Sequence, residues 1–399
     1  MIYIPIPIGE LPINETYGFD LYLTYNKKYV LFRSRQLPVD ENVLLQLREN
    51  GVEKIYIEKG DYPKFLRLTA RVAGYSGDNS QIRYLQDKFV FIDIHTLRVG
   101  SSPNFTVFVV ESGLPTPIIS PDLPGVPTTV NEQHLLEYTS AYIFQGDLDN
   151  YSAYLQNSWA EEATYQPMNV AGGILMRENA KMAAHGLFRS QDPKEALPMA
   201  NKAIDQMLDS MFDNSSTFYA LLKVSDQDFN TYIHSVNVAV LSMGLGIRLK
   251  LSQFQLQLLG LGSMLHDIGK TRVDPDLLLK KSKISPSEYE SLREHVILGV
   301  EWCKEVPEIP SDVLPIIAQH HEQMDGTGYP DKLKVGQIDP LAQIVNIMEI
   351  YDSLTNRQPF RDAFSPFQSL GKMREMGKAI NQEFLTQFIL MLGEQHRPT

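Results

Sequence analysis

Apolar residues alternate with other residues at the start of the chain, at Ile4, Ile6 and Ile8, and the alternation returns at Val90, Ile92 and Ile94. A period of two is that of a strand with one buried face. A second strand is predicted at Phe19–Leu23 and again at Phe105–Val109. The stretch ENVLLQLRENGVEKIYI (41–57) predicts a helix, a C-cap at Gly51 and a further strand. Farther along the period changes. Ile204, Met207, Leu208, Met211 and Phe212 recur at three- and four-residue spacing, which predicts helix through about 155–225. Asp192, Pro193 and Pro198 are expected to interrupt this region, leaving at least two helices. From 226 onward the pattern is helical with polar loops. DPDLLLK (274–280) and SPSEYESL (285–292) carry helix-start chemistry: an Asp or Ser, a Pro, then acids.

The opening part repeats itself. YIPIPIGEL (3–11) aligns with FVFIDIHTL (89–97), and GFDLYL (18–23) with NFTVFV (104–109). SRQLP (34–38) aligns with SPDLP (120–124), and YIEKGD (56–61) with YIFQGD (142–147). Positions 3 and 89 set an offset of 86 residues that all four pairs share without a gap. The expected fold class is therefore an α+β N-terminal tandem repeat followed by an all-α helical bundle. The expected domains are 1–85 and 86–154 as repeats, 155–225 as a helical connector, and 226–399 as the bundle. Neither repeat holds a cluster of metal-ligating or nucleophilic residues. Packing or dimerisation, with a homodimer formed through the repeats or the connector helices, and ligand sensing are both open as roles for them.

Composition narrows the picture. The 399 residues are 43% hydrophobic and 21% charged, ordinary for a globular chain with a sizeable core. A net charge of -12 argues against DNA or RNA as a partner, and an anionic substrate would need a locally positive site. Cys303 is the single cysteine, so no intrachain disulfide can form, which suits a reducing cytoplasm. The start MIYIPIPIGELP lacks the layout of a signal peptide. The apolar run VAVLSMGLGI (238–247) is short and is followed by Arg248, so no membrane insertion is expected.

Five of the nine histidines lie between 234 and 321: His234, His266, His295, His320 and His321. His234 sits on an otherwise apolar predicted helix, where an imidazole needs a buried partner. His266 and Asp267 end the apolar run LLGLGSML, Gly269 breaks it, and Lys270 brings a cation to the same neighbourhood. Imidazole with carboxylate suits Zn, Fe, Mn or Ni rather than an all-oxygen Mg or Ca cage. Asp267 has two oxygens and can bridge two ions, and a metal pair can clamp an in-line displacement at phosphorus.

The motifs HSVNVAVLSMGLG (234–246), HDIGK (266–270), DLLLKKSKISPSEYESLREHVILG (276–299), HHEQMDGTGYP (320–330) and IVNIMEIYDSLTNRQPF (344–360) occur in order. This segment, roughly 215–395, closely resembles the HD-GYP subgroup of the HD-superfamily phosphohydrolases. The resemblance implies an HD-type bundle with metals in its core that hydrolyses cyclic di-GMP, often with iron or manganese. It implies that one metal takes Asp267, His295, His320 and His321, and the other His234, His266, Asp267 and an acid, Glu349. It casts Asp267 and Lys270 as catalytic, and Lys270, Gly328, Tyr329, Arg357 and Arg361 as substrate-binding.

Three positions depart from the family. Glu349 replaces the usual Asp, with Asp352 a neighbouring acid one turn on. Asn230 stands where trinuclear members place a Glu, which points to two transition-metal ions, Fe or Mn. Gln358 stands where a base is usual. The leading reading is a metal-dependent cyclic-dinucleotide phosphodiesterase. A binding or interaction protein with little turnover, and a hydrolase of another phosphate ester, are the alternatives.

Overall fold

A computed structural model describes residues 2–73, 85–111, 114–138, 140–165, 170–189, 193–213, 231–280, 282–356 and 361–393. Its contacts divide the chain into two units, Met1–Ala160 and Glu161–Thr399. Arg357, Gln358, Asn230 and Asp192, each singled out above, lie outside the described residues.

The first unit contains β1 (Tyr3–Pro7), β2 (Leu21–Tyr25), β3 (Lys28–Arg33), α1 (Glu41–Glu49), β4 (Lys54–Glu58) and α2 (Tyr62–Val72). Then come β5 (Phe89–Ile92), β6 (Val107–Glu111), β7 (Leu114–Ile119), α3 (Glu132–Glu137), β8 (Ala141–Phe144) and most of α4 (Leu148–Tyr165), which runs past the boundary at Ala160. Two four-stranded antiparallel sheets result, ordered β1-β4-β2-β3 and β5-β8-β6-β7. The repeat holds down to the register. Tyr3 pairs Glu58 and Phe89 pairs Phe144; Tyr22 pairs Tyr56 and Phe108 pairs Tyr142. Even the irregularity in the hairpin recurs, between Leu21 and Tyr22 and between Val107 and Phe108.

The alternating isoleucines fill the first repeat's core with Phe19, Leu44, Leu47, Ile55, Ile57, Phe65 and Leu66, all buried. The predicted helix of the first copy is α1, N-capped by the Asp40 carboxylate and followed by Gly51 at φ 70°. Its counterpart α3 is only six residues long, because Asn131 and His134 form a capping box that starts it late. β3 and β7 went unpredicted. β3 is largely exposed and β7 contains Pro115 and Pro117, tolerable on an edge strand, so neither shows a clean alternation.

The second unit is helical: α5 (Val170–Arg189), α6 (Pro193–Asp213), α7 (Thr231–Arg248) and α8 (Gln253–Leu265), then a 3-10 turn Ile268–Arg272. It continues with α9 (Pro275–Leu278), α10 (Pro286–Arg293), α11 (His295–Lys304), α12 (Leu314–Gln319), α13 (Pro340–Thr355), α14 (Pro366–Glu375) and α15 (Gln382–Gly393). The predicted starts at Asp274 and Ser285 are N-caps of α9 and α10. Pro198 lies inside α6 and does not interrupt it, contrary to expectation. α7 is buried from Tyr232 to Val236 and from Val238 to Gly246, and α5, α8, α13 and α15 pack on it. Among the described residues no helix is long and apolar enough to cross a membrane.

The turn after α8 meets α11 at backbone distance. A Cβ on Gly269 would stand 1.9 Å from the His295 carbonyl oxygen and 2.4 Å from the Gly299 nitrogen. Gly269 thus does more than end a helix: only glycine lets the two segments touch. Gly269→Ala is expected to cost about 3 kcal/mol of stability, because backbone cannot yield as a side chain can. Gly371→Ala, at an exposed position of α14 with nothing within 4 Å of the added methyl, should instead stabilise by about 0.5–1 kcal/mol. Chemical denaturation of the two variants beside the parent checks both signs.

Candidate metal centre

His266 caps the C-terminus of α8, His295 opens α11 directly after α10, and His320 caps α12. Each ring nitrogen Nδ1 meets the carbonyl three residues back: Ser263 at 2.6 Å, Leu292 at 2.6 Å and Ile317 at 2.7 Å. A carbonyl can only accept, so each Nδ1 carries the proton and each Nε2 presents a lone pair. His234, in the first turn of α7, is set by a side chain instead. Its Nδ1 lies 2.6 Å from Asp352 Oδ2, and its Nε2 contacts Glu349 Oε2.

These Nε2 atoms converge on Asp267, which is fully buried. His295 Nε2 lies 3.4 Å from Asp267 Oδ1, and His266 Nε2 and His234 Nε2 lie 3.5 and 3.8 Å from Oδ2. His295 Nε2 and His320 Nε2 are 3.4 Å apart. Lys270 Nζ bonds Asp267 Oδ2 at 2.5 Å, and Glu349 Oε2 stands 3.3 Å from His266 Nε2. Two groups form around the shared carboxylate: Asp267, His295, His320 and His321, and His234, His266 and Asp267. Within each, one potential ligand atom per residue lies within 4.8 Å of the others.

Lone pairs facing one another in a dry core repel. His266 Nε2 and Asp267 Oδ1 are buried, and neither finds a hydrogen-bond partner among the described residues. A cation satisfies such acceptors together, and imidazole with carboxylate is the donor set of a transition metal. The residues present therefore fit a metal.

Protonation follows the same geometry. Burial drives the His320 pKa well down, helped by the neighbouring imidazoles. Burial likewise holds His321 down, to about 3, and lowers His295. Burial also opposes charge on Asp267, but Lys270 and the imidazoles of His266 and His295 outweigh it and keep the carboxyl below the usual range. For Lys270, burial is outweighed by Asp267 and Glu349, which hold its pKa up. His234 is the exception among the imidazoles. Burial would lower its pKa, yet Glu349 and Asp352 raise it well above the ordinary value.

The loop after His321 is pinned by a residue whose role the motif did not reveal. Glu322 is buried, and its carboxylate accepts the N–H groups of Asp331 at 2.6 Å and Leu333 at 2.9 Å. Gly328 lies against the start of this loop: a Cβ there would come 2.2 Å from Gln323 N and 2.5 Å from Glu322 Cα. The close approach that requires glycine is thus to protein backbone. Tyr329 stacks on His321 with ring centroids 4.6 Å apart, and the Arg293 guanidinium lies over it at 4.2 Å. Burial raises the phenol pKa, and Asp267 and Glu349 act in the same direction.

Arg361 is engaged elsewhere. Its guanidinium donates to the carbonyls of Ser353 at 2.6 Å, Asp362 at 2.8 Å and Leu354 at 3.2 Å. Asp352 stands behind His234. Neither position is evident from spacing alone, because each depends on how α13 turns after Glu349.

Residues 216–382 match the family model described as HD domain. The chain is similar to a cyclic di-GMP phosphodiesterase of Pseudomonas aeruginosa, 28% identical over 221 residues, which are 55% of this chain and 53% of that protein. It is also similar to 3'3'-cGAMP-specific phosphodiesterase 1 of Vibrio cholerae, 31% identical over 144 residues, 36% of this chain and 33% of the relative. The chain thus spans about half, or less, of the length of the curated relatives it matches. Among solved structures, a HDG"Y"P protein from Bdellovibrio bacteriovorus aligns with a TM-score of 0.60 at 20% identity, covering 76% of this chain and 99% of that one. At that identity the likeness is one of fold.

Two outcomes follow from the geometry. Asp352→Asn should weaken metal binding about 10–100-fold while the protein stays folded, since it removes the charged group that orients His234. A competition titration with a chromogenic chelator reads this. Metal affinity should also rise with pH, because the proton that Glu349 and Asp352 hold on His234 must leave before Nε2 can ligate. Calorimetry in two buffers of different ionisation enthalpy should register the released proton.

Proposed function

We propose, on the premise that residues 216–382 are an HD domain, that this protein is a metal-dependent phosphodiesterase acting on a cyclic dinucleotide, cyclic di-GMP first among them. The observation that carries the reading is the convergence of buried imidazoles on Asp267, with His266 Nε2 and Asp267 Oδ1 finding no hydrogen-bond partner among the described residues. His234, His266 and Glu349 would hold one ion and His295, His320 and His321 another, with Asp267 shared. Fe or Mn suits these ligands. When bound, such a pair supplies Lewis acidity and a nucleophile derived from water at neutral pH.

The chain's own groups do the rest. The Nδ1 atoms of His266, His295 and His320, anchored on carbonyls, and that of His234, anchored on Asp352, fix four of the five rings so that Nε2 faces inward. Lys270 keeps Asp267 ionised and places a positive charge beside the reacting phosphorus, where negative charge grows during displacement. The leaving oxygen is that of a ribose. Tyr329 closes the site over His321 and limits water there. The repeats contribute none of these groups, and a regulatory or dimerising role for them belongs to the same proposal.

Weak turnover by a binding module would follow if Glu349 could not serve as a ligand. Its carboxylate reaches His234 and stands against His266, which supports the enzyme reading.

The full-length protein, loaded anaerobically with Fe(II) or Mn(II), should carry up to two ions per chain and hydrolyse cyclic di-GMP or 3'3'-cGAMP. Chromatography would resolve which substrate is used and whether a linear or mononucleotide product forms. Asp267→Ala should lose metal and turnover together, whereas Glu349→Asp should keep or raise turnover. A loaded protein inert toward both dinucleotides would refute the proposal.

A further inference from the structure

We infer that Arg293 is a substrate-binding residue, its guanidinium holding a phosphodiester oxygen at the mouth of the metal centre; this rests on the phosphodiesterase reading above. Arg293 is the last residue of α10, two positions before His295. Its guanidinium carbon lies 4.2 Å from the ring centroid of Tyr329, and that ring stacks on His321. The cation is therefore two side-chain contacts from the ligand cluster, on the aromatic residue that the loop delivers to it. Tyr289, one turn earlier on α10, offers a second ring at 5.6 Å.

The hydrogen-bonding capacity of Arg293 is only partly used. Nε is buried and finds no acceptor among the described residues. One terminal nitrogen bonds Glu290 at 2.9 Å, but the Glu290 side chain is 67% exposed, so an incoming anion can displace it at little cost. The other described cations assigned to substrate are committed elsewhere: Lys270 to Asp267, and Arg361 to three carbonyls at the end of α13. In a chain of net charge -12 an anionic diester needs a fixed positive group beside the metals. Guanidinium is suited to that task, because its planar fork matches two phosphate oxygens and an aromatic platform keeps it flat.

The test uses the full-length, Mn-loaded protein with Arg293→Met, which keeps length and packing, and Arg293→Lys, which keeps charge. Each is assayed with cyclic di-GMP and with bis(p-nitrophenyl) phosphate, a diester without bases, and metal per chain is measured in parallel. The Met variant should raise KM roughly tenfold to a hundredfold with kcat and metal content unchanged, and the Lys variant should recover part of the loss. An unchanged KM in the Met variant, or a KM change that tracks loss of metal, would overturn the inference. If the parent cleaves only the small diester, the dinucleotide reading fails while Arg293 is still judged on that diester. A parent inert toward both substrates overturns both.

Discussion

Imidazoles and a carboxylate can share a dry interior only if each is held by a partner that fixes its proton, and the helical unit is arranged around that requirement. An unpaired buried polar group costs several kcal/mol. Helix termini offer a ready supply of partners, since their last carbonyls lack intrahelical donors. His266 and His320 cap helices, His295 follows one, and each gives its Nδ1 proton to a carbonyl three residues back. One contact thus satisfies a helix end, selects a tautomer and aims a lone pair inward. Asn346 extends the principle by donating to the carbonyl of His320 at 2.8 Å.

His234 obeys the same requirement by another route. It lies in the first turn of a helix rather than at its end, so no terminal carbonyl is within reach. α13 therefore brings two acids, Glu349 and Asp352, to either nitrogen of the ring. The longer Glu side chain spans to His266 as well. What looks like a departure from the family in one residue becomes, with Asp352 behind it, a coherent local arrangement.

The cations of this unit are held by different kinds of partner. Arg361 ties off the end of α13, a task that needs several N–H donors on one side chain. Lys270 neutralises the buried Asp267. Arg293 is half-buried against Tyr329, and its Nε finds no acceptor among the described residues. In the first unit the two sheets repeat one register, and the buried side chains are mainly aliphatic and aromatic, with Asp93, Thr96, Thr106, Ser120 and His134 buried among those of the second repeat.

Much could be read from the chain before its fold was known. Strand alternation and a constant offset between repeats are local or translational signals, and they located both modules, the α1 helix and its Gly51 cap. The histidines and Asp267 carried chemistry that survives in any fold able to bring them together. Other features were beyond reach for a physical reason: they depend on what lies opposite a residue in space. β3 and β7 are edge strands, where exposure and proline erase the alternation. Pro198 was tolerated by a helix that local propensity would have stopped. Gly328 and Gly269 are set by backbone that arrives from elsewhere in the chain. Glu322 as a loop anchor and Asp352 as the partner of His234 both follow from long-range packing. The sequence determined which groups are available and the period of the elements that bear them. Tertiary structure alone decided which face inward, because a side chain's role in a dry core is fixed by the partner that satisfies it.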